Sequence, residues 1–271
     1  MKRPPLTPII AAVPLAIVGV FVVGSSWLAP DATNQDILTG ATPPGTSGHP
    51  FGTDQLGRDI WQFALAGARS AVVGPIVIAL GSMLIGLVLG TIAGYLGGYL
   101  DLLLSKYADL LLALPTTLIA LVVAGLVDGG YWVTVLVLVV LFSPTDIRMA
   151  RGAVIAQSTQ PYIESARVLG LSRFRIMFRH VVPNVLPIAF TTMLLNVAFA
   201  LVAMSALSFL GFGVGPGTPD WGRQLSDGRN LIGRNWGAVV VPGVLIIITA
   251  VSVNLLGDWL QERYEQRGVQ R

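Results

Sequence analysis

Six stretches of this chain are apolar and almost uncharged: about Pro8 to Leu28, Ala71 to Tyr95, Asp101 to Val127, Tyr131 to Phe142, Val185 to Phe212 and Val239 to Leu256. A helix needs roughly 20 apolar residues to cross a bilayer, and all but the fourth run come close to that length. Composition agrees, since 54% of the 271 residues are hydrophobic and only 11% are charged. Soluble domains carry roughly a quarter charged residues. The expected fold is therefore all-α, a polytopic membrane protein with six transmembrane helices. Met1-Lys2-Arg3 before the first run could open a signal peptide, but the run is long enough to span, and it reads as an uncleaved transmembrane helix.

The net charge of +3 could suggest a nucleic-acid partner, yet the basic residues sit beside membrane segments, where the positive-inside rule explains them better. With the N-terminus inside and six spans, only Arg58, Arg69, Arg223, Arg229 and Arg234 of the 17 Lys and Arg fall outside. Lys2, Arg3, Lys106, Arg148, Arg151, Arg167, Arg173, Arg175, Arg179, Arg263, Arg267 and Arg271 fall inside, which puts both termini in the cytoplasm. The lack of cysteine excludes disulfides and thiolate metal sites. His49 and His180 lie on opposite sides in this topology, which argues against a paired metal site. Lys2 and Lys106 are the only lysines, and neither sits in a Walker A sequence, so no ATP site of that kind exists here. No Ser/His/Asp grouping, HExxH or paired carboxylates stand out either. Transport is the chemistry left for such a bundle.

A polar island between spans, Gln160 to Pro187, is rich in arginine. Pro161 suits a first helical turn, Tyr162 to Leu169 favour helix, and Gly170 can end it in a left-handed turn. Ser172 offers an N-cap for a second helix expected to run until Pro183. Phe174, Met177, Phe178 and Val181 form one stripe of that helix, with Arg173, Arg175 and Arg179 off it. The pattern fits an interfacial helix with snorkelling arginines, or a grip for another protein.

Elsewhere, Thr53 or Asp54 could cap a short outer helix carrying Leu56, Ile60, Phe63 and Ala64. Gly86, Gly90 and Gly94 recur every fourth residue and predict close helix packing. Ala93 to Asp101 is a glycine-rich turn, and Pro115 can kink the third span. Lys106 and Asp109 are spaced for an ion pair, and Asp109 is also the one candidate for an intramembrane proton relay. Asp146 and Arg148 are expected to re-enter water after the fourth run. Asn196 either hydrogen-bonds a neighbouring helix or faces a translocation path, with Ser205 a second path candidate. Trp221 and Trp236 suit interfacial anchors.

Glu164-Ser165-Ala166, then Gly170, then Val182-Pro183 resembles the EAA loop of bacterial ABC-importer permeases, with Ser165, His180 and Val182 departing from the pattern. His49 to Asp59, HPFGTDQLGRD, resembles a segment of the C-type permease subunits of the dipeptide, oligopeptide and nickel family, as do Leu207 to Gly211 and Gly211 to Asn230. The resemblance covers roughly His49 to Asp258. It implies a type I ABC-importer (MetI-like) permease fold in a bacterial cytoplasmic (inner) membrane, with residues 1–68 as an N-terminal helix and outer loop. Residues 69–271 would form the permease domain, with the EAA loop at about 149–184. It also implies a homologous permease subunit as heterodimer partner, two cytoplasmic ATPase subunits that hold ATP and magnesium, and an extracytoplasmic solute-binding protein. The substrate would be a di- or oligopeptide, with nickel or another small solute as the alternative, and a proton-coupled secondary transporter is the rival class. The chain itself would hold no cofactor. Glu164, Ser165, Ala166, Gly170, Arg173, Phe174, Met177, Phe178 and Pro183 would couple it to the ATPase.

Overall fold

A backbone in lipid must satisfy its own hydrogen bonds, and the computed structural model, which describes residues 6–127 and 129–268, does so with helices throughout its apolar runs. Lys2, Arg3 and Arg271, counted above as inner charges, lie outside the described residues. In chain order the helices are α1 (Leu6–Leu28), α2 (Ile60–Leu96), α3 (Gly98–Leu112), α4 (Thr116–Leu126), α5 (Gly130–Ser158) and α6 (Pro161–Val168). There follow α7 (Arg173–Ile176), a π turn (Met177–Val181), α8 (Val182–Phe209), α9 (Trp221–Gly228), a 3-10 turn (Arg229–Leu231) and α10 (Gly237–Gly268).

Five of the spans are long, apolar helical segments, while α3 and α4 are joined at a bend of 85°. Whether that bent pair crosses the membrane follows from its neighbours. A Cβ on Gly74 of α2 would strike Tyr131, one on Gly86 would strike Asp146, and one on Gly94 would lie 2.7 Å from the Arg151 carbonyl oxygen. Residue numbers rise together along α2 and α5, so the two helices are parallel. Parallel neighbours need a return crossing between them, and only α3 with α4 can supply it. The described residues therefore cross six times.

The third run is not the single kinked helix expected of it. Pro115 takes the N-cap position of α4 at φ −60°, ψ 116°. It has no N–H to continue a ladder, and it disfavours a helical conformation at Leu114. The break is the sum of both effects. The fourth run is likewise longer than expected, since α5 carries Pro144 in its interior and continues to Ser158. Asp146 consequently does not re-enter water and is 1% exposed.

At its N-terminal end α2 begins at Ile60, where Asp59 accepts a hydrogen bond from the Gln62 N–H at 2.8 Å. Neither expected cap is used, because the two side chains are committed within the preceding loop. Thr53 donates to the Gly40 carbonyl at 2.6 Å, and Asp54 accepts from the Leu56 and Arg58 N–H groups. Leu56 therefore lies ahead of the helix, and the short outer helix is the first turns of α2 itself. The domain division after residue 68 falls inside this unbroken helix.

The loops before α2 and around α9 close into a cap. Trp221 is fully buried and donates its indole N–H to the Ala64 carbonyl at 2.8 Å, so it packs the cap instead of anchoring at the interface, while Trp236 is half exposed. Asp220 caps α9 by accepting from the Arg223 N–H at 3.0 Å, and burial pushes its carboxyl above the usual carboxylate range. Asn235 is the hub: its side-chain amide reaches the Thr42, Phe51 and Thr53 carbonyls at 2.7, 3.1 and 3.1 Å, and its carbonyl accepts from Gly237. An Asn235→Ala chain strands these buried backbone groups at about 1–3 kcal/mol. Amide exchange over residues 40–56 is expected to speed up while α5 stays protected, and unchanged exchange there would refute the hub.

Candidate docking site

The arginine-rich island folds from local rules. Pro161 opens α6, where its missing N–H costs nothing. After α6, the Gly170 N–H bonds the Arg167 carbonyl at 3.0 Å and the Leu171 N–H bonds the Ala166 carbonyl at 3.2 Å, the two bonds of a Schellman ending. Gly170 supplies the required positive φ, +74°. Ser172 caps α7, its hydroxyl accepting from the Arg175 N–H at 3.4 Å.

The second helix does not stop at Pro183. It passes through the π turn, in which the Val182 N–H reaches the Met177 carbonyl, and becomes α8 with Pro183 in its first turn. At that position the absent N–H is tolerated. From α7 through the π turn, the island and the fifth span form one continuous helical path.

The expected apolar stripe is divided. Val181 is buried with Ile163, Ala166, Ile176 and Val185 against Val154 of α5, and Leu87 and Tyr95 of α2 pack on this cluster; Met177 is buried too. Phe174 and Phe178 face outward, Phe174 being 67% exposed. Val168, 84% exposed, and Leu169 join them, although neither was singled out in the sequence. Their signal was available: Ile163 and Ala166 define the buried side of α6, and Val168 and Leu169 fall off it. Glu164, Ser165, Arg173 and Pro183 are also exposed, and the Ser165 hydroxyl donates to the Pro161 carbonyl at 3.1 Å. A buried base thus presents large apolar side chains to solvent beside Arg173, Arg175 and Arg179, none of which has an ion-pair partner among the described residues. Exposed apolar groups collected beside charge mark a protein-binding surface.

Ion pairs brace the base. Arg151 grips Asp101 through Nε and Nη2, and Arg148 pairs with Asp109. The expected Lys106–Asp109 pair is not formed, because α3 turns Asp109 toward α5 while Lys106 stays exposed. Asp109, half exposed and paired, is not a buried membrane carboxylate; Asp146 is. Its Oδ1 accepts from the Asn196 side-chain amide at 2.9 Å, joining α5 to α8, while its Oδ2 has no hydrogen-bond partner among the described residues. Ser82 of α2 stands beside it, with its hydroxyl donating to the Ala79 carbonyl at 3.2 Å. Ser205 is buried farther along α8, its backbone against Gly222 of α9.

Residues 86–268 match the family described as "Binding-protein-dependent transport system inner membrane component". The chain is 33% identical over 265 residues to the dipeptide transport system permease protein DppC of Escherichia coli, covering 96% of this chain and 88% of that protein. It is 32% identical over 249 residues to a di/tripeptide transport system permease protein of Pseudomonas aeruginosa, covering 89% and 82%. A third relative, the probable D,D-dipeptide transport system permease protein of Escherichia coli, is 29% identical over 262 residues, covering 97% and 88%.

Proposed function

The chain belongs to the binding-protein-dependent transport system inner membrane components, and from that premise we propose that it is a permease subunit of an ATP-binding-cassette importer for di- or oligopeptides. The observation that carries the reading is the coupling loop, an exposed apolar and arginine-rich surface on a buried base. The peptide assignment draws on its relatives, which are named for dipeptides and tripeptides.

In this reading a homologous permease completes the pore, and two cytoplasmic subunits bind ATP and magnesium. A solute-binding protein delivers peptide from the outer side of the bacterial inner membrane, and both termini of this chain are cytoplasmic. Phe174, Phe178, Val168 and Leu169 enter the ATPase cleft, Glu164 and Arg173 make polar contacts at its rim, and Gly170 holds the turn. Ser165, Ala166, Met177 and Pro183 shape the base. Closure of the ATPase pair on ATP pulls the loop, and the continuous path into α8 carries that pull to the spans. Asn196 and Ser205 lie on this moving helix.

The test is co-purification of the ATPase through this chain and its stimulation by peptide-loaded binding protein. Phe174→Ser with Phe178→Ser removes exposed apolar contacts of hot-spot type, and stimulated activity should fall at least about tenfold. Glu164→Ala with Gly170→Pro should abolish assembly. Failure of any ATPase to associate with the wild-type chain, or wild-type behaviour of both variants, would sink the proposal.

A further inference from the structure

A second feature of the inner side shares only Arg173 with the ATPase-docking surface. Beside the end of α2, a cavity of about 460 Å³ is lined by Tyr95, Leu96, Arg167, Leu171, Arg173 and Ile176. The Arg167 guanidinium lies over the Tyr95 ring, 5.8 Å from its centre. Neither Arg167 nor Arg173 has an ion-pair partner among the described residues. The remaining lining is apolar, and Ile176 is fully buried beneath it. Two positive charges over a low-dielectric floor, without a carboxylate, form an incomplete electrostatic arrangement. Guanidinium forks match the oxygens of a phosphate group.

We infer that this cavity binds the phosphate of an anionic phospholipid headgroup from the cytoplasmic leaflet. The apolar chain beside the cavity favours a lipid over a protein carboxylate. The cavity sits where the membrane span α2 ends, and the exposed side chains next along the chain are apolar, Tyr99, Leu100, Leu102 and Leu103. Acyl chains can lie against such a surface while the headgroup meets the arginines. The lining comes from α2, α6, α7 and the turn between α6 and α7, so an occupied cavity ties the coupling loop to the membrane domain. The inference stands on the isolated chain and does not depend on the importer reading.

The experiment uses the full chain purified in detergent, with lipid retention followed by native mass spectrometry and stability by thermal unfolding. Phosphatidylglycerol, phosphatidylcholine and inorganic phosphate are added separately. Phosphatidylglycerol should be retained and should raise the unfolding temperature, and the other two should do neither. Arg167→Gln with Arg173→Gln should weaken retention at least about tenfold, the scale of a lost charge-assisted hydrogen bond. Arg175→Gln with Arg179→Gln, outside the cavity, should leave retention unchanged. If the double cavity variant does not fold, the single Arg167→Gln chain gives the same reading. Equal stabilisation by inorganic phosphate would identify a free-anion site and overturn the lipid. Unaltered phosphatidylglycerol retention in the cavity variants would also overturn it, and if the single Arg167→Gln chain also loses the ATPase, Arg167 serves a protein carboxylate instead.

Discussion

A Gly86→Leu chain should fail to accumulate as monodisperse protein, while Gly152→Ala should be recovered as well as the wild type. At Gly86 even a bare Cβ would strike the Asp146 Cβ and come within 2.7 Å of its backbone carbonyl carbon. A flexible side chain could move aside, but here the obstacle is the backbone of α5. Relief requires α2 and α5 to separate along their whole contact, since Gly90 and Gly94 approach the same helix at similar distances. Overpacking a core commonly costs about 1–3 kcal/mol, and displacing a helix backbone exceeds that range. Against a total stability of about 5–15 kcal/mol the loss is severe. Gly152 has nothing within 4 Å of its would-be Cβ, so alanine there gains helix propensity without a clash. Size-exclusion profiles and thermal unfolding of the three proteins decide the matter. An unfolding temperature for Gly86→Leu within about 1 °C of wild type would show that the helices are not in backbone contact.

The second large effect concerns Asp146. Asn196→Leu removes the hydrogen bond to Oδ1 and leaves the carboxyl buried with neither oxygen partnered. An orphaned buried polar group costs about 1–3 kcal/mol, and more when it is charged. Asp146→Leu with Asn196→Leu removes both halves of the polar pair, and the double variant should be destabilised by less than the sum of the single changes. A double-mutant cycle by detergent-state unfolding measures this. Strict additivity would mean that the two side chains do not interact.

These two sites also show what the sequence could reveal. The contact at Gly86 was legible, because a glycine at every fourth position has few uses in a span other than close approach. The turn at Gly170 and the cap at Ser172 were legible because each depends on its nearest neighbours. Asp146 was read as a return to water because a carboxylate ordinarily marks it. Its partner, Asn196, is 50 positions away, and no local pattern connects them. Asp109 was paired with Lys106 on helical spacing, whereas the fold offers Arg148 from another helix. Trp221 resembled an anchor until the cap closed around it. The surface residues of the coupling loop were half visible: the Phe174 stripe was found, but periodicity alone could not say that Met177 turns inward and Phe178 outward.

The length of α2 has one more consequence. Its 37 residues extend about 55 Å at 1.5 Å each, well beyond the roughly 30 Å hydrocarbon core. One end sits in the loop cap beneath Trp221, and the other packs through Tyr95 on the base of the arginine-rich island. A helix resists compression far better than a loop does, so α2 acts as a pushrod. A displacement at the Tyr95 end reaches the Trp221 end along a single piece of secondary structure, with no chain break in which the stroke could be lost.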